Sequence, residues 1–216
     1  MERATNIETA KKIMGKNFVG PEELSKISTR FKISVPENKI PLIPFSSDFL
    51  KTISRDYILI LGLSKDKNGK SLTINKMRDI LGFNPEKSEP CFYNQDWYLK
   101  ENFAAVKKLD FKWYLVSKKI NNNTKGEDPN RIKKMIKKGE DFPSAILVTF
   151  TFFVYYFLTG EVLWKNDFVW CKDNDSNGDR IYVGRYSDPK RKNKDGFNVH
   201  RLLSISNHYG LASEII

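Results

Sequence analysis

The segment 168–186 decides the fold of the C-terminal part of this chain. It reads Phe168-Val169-Trp170-Cys171, then Asp173-Asn174-Asp175-Ser176-Asn177-Gly178-Asp179-Arg180, then Ile181-Tyr182-Val183-Gly184-Arg185-Tyr186. Its apolar residues follow the period of two that is typical of β-strands. The polar run Ser176-Asn177-Gly178 is a strong turn signal just before the second apolar run. We therefore expect a strand at 180–184 that follows a hairpin turn rich in Asp and Asn.

Outward from this segment, the pattern changes from strand-rich to helix-rich. Helix signals lie at 5–14, 20–24, 46–53, 73–81 and 131–138, and runs of strand length lie at 57–61, 111–116, 180–184 and 197–200. The polar loop 121–129 is the clearest internal break. The sequence therefore predicts an α+β protein with a helix-rich N-terminal part of unknown role at 1–120 and a C-terminal module at 121–216.

The most apolar stretch, 143–158, has no charged residue. It is shorter than the ~20 residues that a helix needs to span a bilayer. Pro143 is placed to start a helix, and Gly160 is placed to end it. We interpret the stretch as a buried core helix and expect no transmembrane segment.

The charge balance bears on partners more than on fold. The chain has 216 residues, 37 Lys and Arg against 26 Asp and Glu, and a formal net charge of +11. This permits binding to nucleic acid or to anionic surfaces, although rich Lys, Asn and Ile usage also fits an AT-rich genome. The basic blocks are Lys134-Lys137-Lys138 and Lys190-Arg191-Lys192-Lys194. Two distant cysteines and the lack of an N-terminal apolar run favour a cytoplasmic protein.

The residues with catalytic or metal-binding chemistry form no complete site in the sequence. The Asp-rich turn alternates as calcium ligands do, but an EF-hand loop needs Glu where Gly184 stands. An Asx-type hairpin turn is the better interpretation, with a non-EF calcium site as the alternative. His200 and His208 have no Cys or Glu at a zinc-ligand spacing. We therefore predict no catalytic residue, no metal and no cofactor.

The C-terminal block resembles the variable proteins of diversity-generating retroelements. The matching residues are Val169-Trp170-Cys171, 176–186, Asp195-Gly196-Phe197-Asn198-Val199 and Tyr209-Gly210-Leu211-Ala212-Ser213. In that family a reverse transcriptase and a template repeat rewrite adenine-rich codons near the 3′ end of the gene. The codons come to encode a mixture of Asp, Tyr, His, Arg, Leu, Ile and others, and the residues between the matching positions here are such a mixture. The basic insertion at 189–194 departs from the family pattern.

The resemblance implies a C-type-lectin-like fold, related to formylglycine-generating enzymes, with a variable ligand-binding region at 167–216. No formylglycine-type cysteine pair is evident, so oxidase chemistry is not carried over. The expected framework residues are Trp164, Trp170, Ile181, Val183, Phe197, Val199 and Leu211. The expected display positions are Asp173, Asp175, Asp179, Tyr182, Arg185, Asn198, His200, Arg201, Leu203, Ile205, Asn207, His208 and Tyr209.

The alternation of side chains in a strand gives this expectation a physical basis. Ile181 and Val183 would pack inward while Tyr182 faces outward, and Val199 would anchor while Asn198 and His200 are displayed. The implied function is non-enzymatic binding of an unknown protein or cell-surface ligand. Three alternatives remain: a basic nucleic-acid-binding protein of phage or mobile-element origin, an enzyme on the same scaffold, and ordinary strands whose exposed sides bind nothing.

Overall fold

The structure, a computed structural model, describes residues 4–36, 40–187, 196–201 and 205–216. They form a mixed α+β protein with two mixed sheets. The helices are α1 (Ile7–Met14), α2 (Pro21–Lys26), α3 (Ser28–Phe31), α4 (Ser47–Ile53), α5 (Ile74–Leu81), α6 (Asn102–Ala105), α7 (Pro129–Met135) and α8 (Ala145–Thr159). The strands are β1 (Phe18–Val19), β2 (Tyr57–Leu61), β3 (Trp113–Ser117), β4 (Glu140–Asp141), β5 (Phe168–Asn174), β6 (Arg180–Gly184), β7 (Asn198–Arg201), β8 (Tyr209–Gly210) and β9 (Glu214–Ile215).

The first sheet has the order β1-β2-β3-β9-β4, so it joins the two ends of the described chain. Strand β1 is parallel to β2, and the other neighbours are antiparallel. The C-terminal strand β9 pairs with β3 through Leu115↔Ile215 and Val116↔Glu214. It also pairs with β4, so it lies between two strands from earlier in the sequence.

The second sheet has the order β7-β6-β5-β8 and is built from the C-terminal block. Strands β5, β6 and β7 are antiparallel neighbours, and Tyr182 of β6 pairs with both Trp170 and His200. The register of β5 shifts between Trp170 and Asn174. Strand β8 is parallel to β5, with Tyr209 opposite Phe168. The predicted strand at 180–184 is confirmed.

Helix α8 is the buried helix that the sequence predicts. The hydroxyl of Ser144 accepts a hydrogen bond from the N–H of Leu147 at the start of the helix, and Gly160 ends it in a left-handed conformation with φ 73°. Every residue from 145 to 155 is buried. Such a helix is apolar on all sides because it lies inside the core. In the part of the chain that the structure describes, no helix combines the length and the apolar character needed to cross a membrane.

One hydrophobic core extends across both predicted parts of the chain. It includes Leu59 of β2, Phe150 of α8 and Val183 of β6, each fully buried. The polar loop at 121–129 therefore does not separate two hydrophobic cores. A second, smaller cluster lies on the opposite side of the second sheet and contains Ile132, Phe142, Phe168, Trp170, Tyr182 and Leu211.

Candidate functional site

The two faces of the second sheet meet different surroundings. The inner face packs against α8 within the main core, and its side chains are Val169, Cys171, Ile181, Val183 and Val199. The outer face carries the rings of Phe168, Trp170, Tyr182, His200 and Tyr209. All of the predicted framework residues are buried, including Trp164 and Phe197.

Three aromatic side chains form a stack across the outer face. The ring of Tyr182 lies between those of His200 and Tyr209, with centroid distances of 5.6 and 4.5 Å and interplanar angles of 15° and 25°. His200 and Tyr209 are half-buried at the two ends of the stack. Burial and the neighbouring Arg201 lower the pKa of His200 below its usual value of 6.5. The imidazole is therefore neutral at pH 7. We call these three residues the ring stack.

The prediction that Tyr182 is displayed requires correction. Tyr182 does face away from the main core, but it is only 3% exposed. Its ring is covered by its two stacking partners and by the edges of Phe168 and Trp170. Burial, and then the hydrogen bond to the Tyr209 hydroxyl, raise its pKa. Tyr182 is the centre of the second cluster and supports its neighbours.

Asp175 is also buried instead of displayed, because its carboxylate holds the hairpin turn together. Oδ1 accepts hydrogen bonds from the backbone N–H groups of Asn177 and Asp179, each at 2.9 Å. Oδ2 accepts one from Arg201 at 3.1 Å. Burial alone would raise its pKa, but the hydrogen bonds from Asp179, Arg201 and Asn177 outweigh it and lower the pKa. The predicted Asx-type turn is confirmed.

Asp173 is the third predicted display residue that the structure buries. Its Oδ2 accepts a hydrogen bond of 2.6 Å from the N–H of Ala145, which is the first residue of α8. Its Oδ1 pairs with Lys107 at 2.7 Å. The first N–H groups of a helix have no partner within the helix, so an acidic side chain stabilises that end. Asp173 therefore joins the second sheet to the buried helix. Among the described residues, no group of three or more His, Cys, Asp or Glu could hold a metal ion.

Three further predicted display residues, which lie in β7 or just after β6, are partly accessible. Arg185 has a left-handed backbone, with φ 46°, and its guanidinium lies 5.9 Å from the centroid of the Phe168 ring. The amide nitrogen of Asn198 donates to the backbone oxygens of Arg185 and Gly196, so Asn198 also shapes this bend. Arg201 lies 5.3 Å from the centroid of Trp97 in addition to its pair with Asp175.

The segment before β8 supplies the most exposed predicted positions. Ile205 is 43% exposed, and Asn207 and His208 are also exposed. The Nδ1 of His208 lies 3.7 Å from Asp167, whose other oxygen pairs with Lys125 at 2.8 Å. Asp179 is half-buried at the hairpin turn. This turn lies at the opposite end of the second sheet from the segment before β8. The predicted position Leu203 and the basic loop at 190–194 lie outside the described residues.

Sequence reasoning missed two side chains that border the ring stack. Gln95 contacts His200, with 3.2 Å between their Nε2 atoms. The indole N–H of Trp97 donates to the backbone oxygen of Val199 at 3.1 Å. Both residues come from a loop about a hundred positions away in the sequence. The only signal was a Trp directly after the polar run Asn94-Gln95-Asp96, which does not by itself indicate where the loop docks.

Comparisons of this chain with known protein families, with curated proteins and with solved structures find no match.

Proposed function

We propose that this protein is a non-enzymatic ligand-binding protein of the variable-protein class of diversity-generating retroelements. Its C-terminal module, of C-type-lectin-like type, binds a protein target through the accessible rim of the second sheet's outer face. The proposal rests on the order of the matching residues in the sequence, together with the way the second sheet divides its side chains.

The division between buried and accessible residues is the observation that carries the proposal. The regularly spaced residues Ile181, Val183 and Val199 are fully buried on the inner face. The chemically varied residues that stay accessible lie elsewhere, on the rim and at the strand ends. When one side of a sheet is packed into the core, accessible side chains elsewhere can change without loss of the fold. Other binding proteins display variable loops on a rigid framework in the same way.

The structure narrows the set of residues that we expect to contact the ligand. Asp173, Asp175 and Tyr182 leave the set because they are buried and support the scaffold. The accessible members are Asp179, Arg185, Asn198, His200, Arg201, Ile205, Asn207, His208 and Tyr209. Aromatic and Arg side chains dominate interface energetics, so Tyr209 and Arg185 are expected to contribute most to binding.

The DNA around the gene provides the test. We expect a near-copy of the 3′ end, differing from it at adenines, and a neighbouring reverse-transcriptase gene. Genes from sibling strains should differ at codons for rim residues such as His200 and Tyr209, and should agree at codons for Val183 and Asp173. Flanking DNA with no such copy and no reverse transcriptase would contradict the proposal. Substitutions spread evenly over buried and rim codons would contradict it as well.

A further inference from the structure

A cavity of about 270 Å³ lies at the strand ends of the first sheet, and none of the accessible predicted display residues lines it. Residues from β2, β3, α7 and the two chain segments around β4 and β9 line it. It is smaller than the ~300 Å³ at which pockets for drug-sized ligands begin, and large enough for a flat ring system of about ten heavy atoms. Only Leu211 and Ser213 of its lining belong to the predicted variable region.

Polar groups at the base of the cavity form a short chain. The hydroxyls of Tyr57 and Ser213 lie 2.9 Å apart. The Tyr57 hydroxyl also donates to Oε1 of Glu140 at 3.4 Å. No other described residue donates a hydrogen bond to the Glu140 carboxylate or forms an ion pair with it, so its second oxygen is free to accept one. The amide nitrogen of Asn121 likewise has no acceptor among the described residues, since only Oδ1 is used, by the N–H of Asn123.

Four apolar side chains contribute to walls that are otherwise mostly polar. Ile120 and Leu211 are buried on one side, and Ile136 is partly buried near the end of α7. Met135, the last residue of α7, is 45% exposed and also lines the cavity. These apolar side chains offer contact to the flat faces of a heterocyclic base, while the polar groups are available to its edges.

Lysines surround the mouth of the cavity and have no acidic partner in the described chain. Lys119 and Lys137 line it directly, and both are exposed. Lys133, Lys134 and Lys138 follow on the same segment. Within 131–138, Arg131 is the one residue that forms an ion pair with a described residue, Glu127 at 3.2 Å. Asp56 and Glu140 are the carboxylates of the lining, so the positive charge is concentrated at the mouth and along α7.

From the cavity and the lysines together, we infer that this is a binding site for one nucleotide unit. The base enters between Ile136 and Ile120, where Glu140 accepts a hydrogen bond from a ring or exocyclic N–H and Asn121 donates one to a base oxygen or nitrogen. The phosphate remains outside, between Lys119 and Lys137. The site is separate from the proposed display rim and does not depend on it.

A nucleotide fits the site better than a purely anionic ligand does. A carboxylate at the base of the cavity repels anions, but it accepts hydrogen bonds well from the N–H groups of a base. The phosphate meets the exposed lysines at the surface, where contacts of this kind position a nucleic acid without reading its sequence. Free nucleotides and single-stranded nucleic acid share this chemistry, and the lysines along α7 provide further phosphate contacts for a strand.

The experiment measures binding of a fluorescein-labelled single strand of about 20 nucleotides by fluorescence anisotropy, across a salt series. We expect the variant with Lys119→Gln and Lys137→Gln to lose about 5-fold in affinity at about 0.1 M salt, and its log–log salt slope to fall by about 0.7, the loss of one phosphate contact. Lys67→Gln with Lys70→Gln removes the same charge from an exposed turn outside the lining and should change neither.

The cavity itself is tested by Met135→Trp, with Met135→Leu as the matched control. We expect the tryptophan to fill the mouth and abolish competition by the four ribonucleoside monophosphates, whereas the leucine leaves it unchanged. If the monophosphates compete as strongly as unlabelled strand at an equal concentration of nucleotides, the ligand is a free nucleotide. If they compete much more weakly, the ligand is a single strand. Three results would each overturn the inference. The two lysine pairs could lose equal affinity for the strand, Met135→Trp could leave the binding of every probe unchanged, or polyglutamate could compete as well as the monophosphates.

Discussion

The two faces of the second sheet are covered by elements of very different length. The inner face lies against α8, which has 15 residues and seals it completely. The outer face is covered by α7, which has 7 residues, and by Phe142. This shorter cover buries Tyr182 at the centre and leaves His200 and Tyr209 half-buried at the sides. The face to which a side chain points therefore does not by itself decide how accessible it is. The element that covers that face decides it.

The difference explains why three of the predicted display residues are structural. Tyr182 alternates with the apolar residues of β6, yet its stacking partners cover it. Asp173 follows Val169 and Cys171 at intervals of two and bonds to the start of α8. Asp175 lies in the turn after β5, where backbone N–H groups and Arg201 surround its carboxylate. Among the described display positions, those at the rim of the outer face or at strand ends keep an accessible side chain on a fixed backbone. The following substitutions compare how much side chains of the inner face, of the junction with α8 and of the rim contribute to the free energy of unfolding.

The largest effect is expected on the inner side. Phe197→Ala should lower the free energy of unfolding by about 3–5 kcal/mol, because it leaves a cavity that the close-packed core fills only in part. Phe197 is fully buried, and its ring lies 4.7 Å from that of Phe152 and 5.4 Å from that of Phe153. Urea denaturation followed by far-UV circular dichroism measures the change. A loss below about 1 kcal/mol would mean that the inner face is not the framework of the module.

The next largest effect is expected at the junction between the second sheet and α8. Asp173→Ala removes the acceptor for the Ala145 N–H and the partner of Lys107, and should cost about 2–3 kcal/mol, the range for hydrogen bonds to a charged group. Asn174→Ala is the matched control, since Asn174 is exposed and adjacent. Its effect should stay within about 0.5 kcal/mol in the same urea titration. If both variants lower the free energy of unfolding by the same amount, Asp173 supports the scaffold no more than exposed Asn174 does and remains a candidate display position.

Local signals predicted much of the fold. The hydroxyls of Ser46 and Thr73 each accept a hydrogen bond from the first turn of a helix, as helix-start signals imply. The apolar run at Tyr57–Leu61 forms a strand, and the Asp-rich segment forms an Asx turn. These features depend on a few neighbouring residues, so the sequence alone contains the information that determines them.

Features that depend on distant segments could not be predicted in this way. Strands β4, β8 and β9 have 2 residues each, too few for any periodicity to appear. Their positions follow from pairing with β3 and β5, which is a property of the assembled sheets. The burial of Tyr182 has the same origin, since Ile132 and Phe142 that complete its cluster come from a segment about 40–50 residues away. The cavity at Tyr57 likewise needs four separate segments.

A smaller effect is expected at one end of the ring stack, where His200 responds to pH. Burial and Arg201 lower its pKa in the folded chain below 6.5. The unfolded chain therefore takes up a proton at this position at a higher pH than the folded chain does. The free energy of unfolding should fall as the pH decreases from about 6.5, and this part of the fall ends once the folded pKa is passed.

The matched variant for the pH effect is His200→Phe, which keeps an aromatic ring on Tyr182 but cannot titrate. Urea titrations at several pH values between about 7 and 5 should show a weaker pH dependence for this variant than for the parent chain. The groups that titrate elsewhere contribute equally to both. Identical pH profiles would mean that His200 is as accessible when folded as when unfolded, and would place it fully on the rim.

The smallest effect is expected at the exposed end of the rim. Asn207→Ala and His208→Ala should each change the free energy of unfolding by no more than about 0.5 kcal/mol, since both side chains are exposed. The 3.7 Å pair between His208 and Asp167 lies at the surface, where ion pairs contribute little. Thermal unfolding of the two variants against the parent chain measures this. If either variant loses more than about 1 kcal/mol, the segment before β8 supports the sheet as Asp173 does, and a varied sequence could not be displayed there without cost to folding.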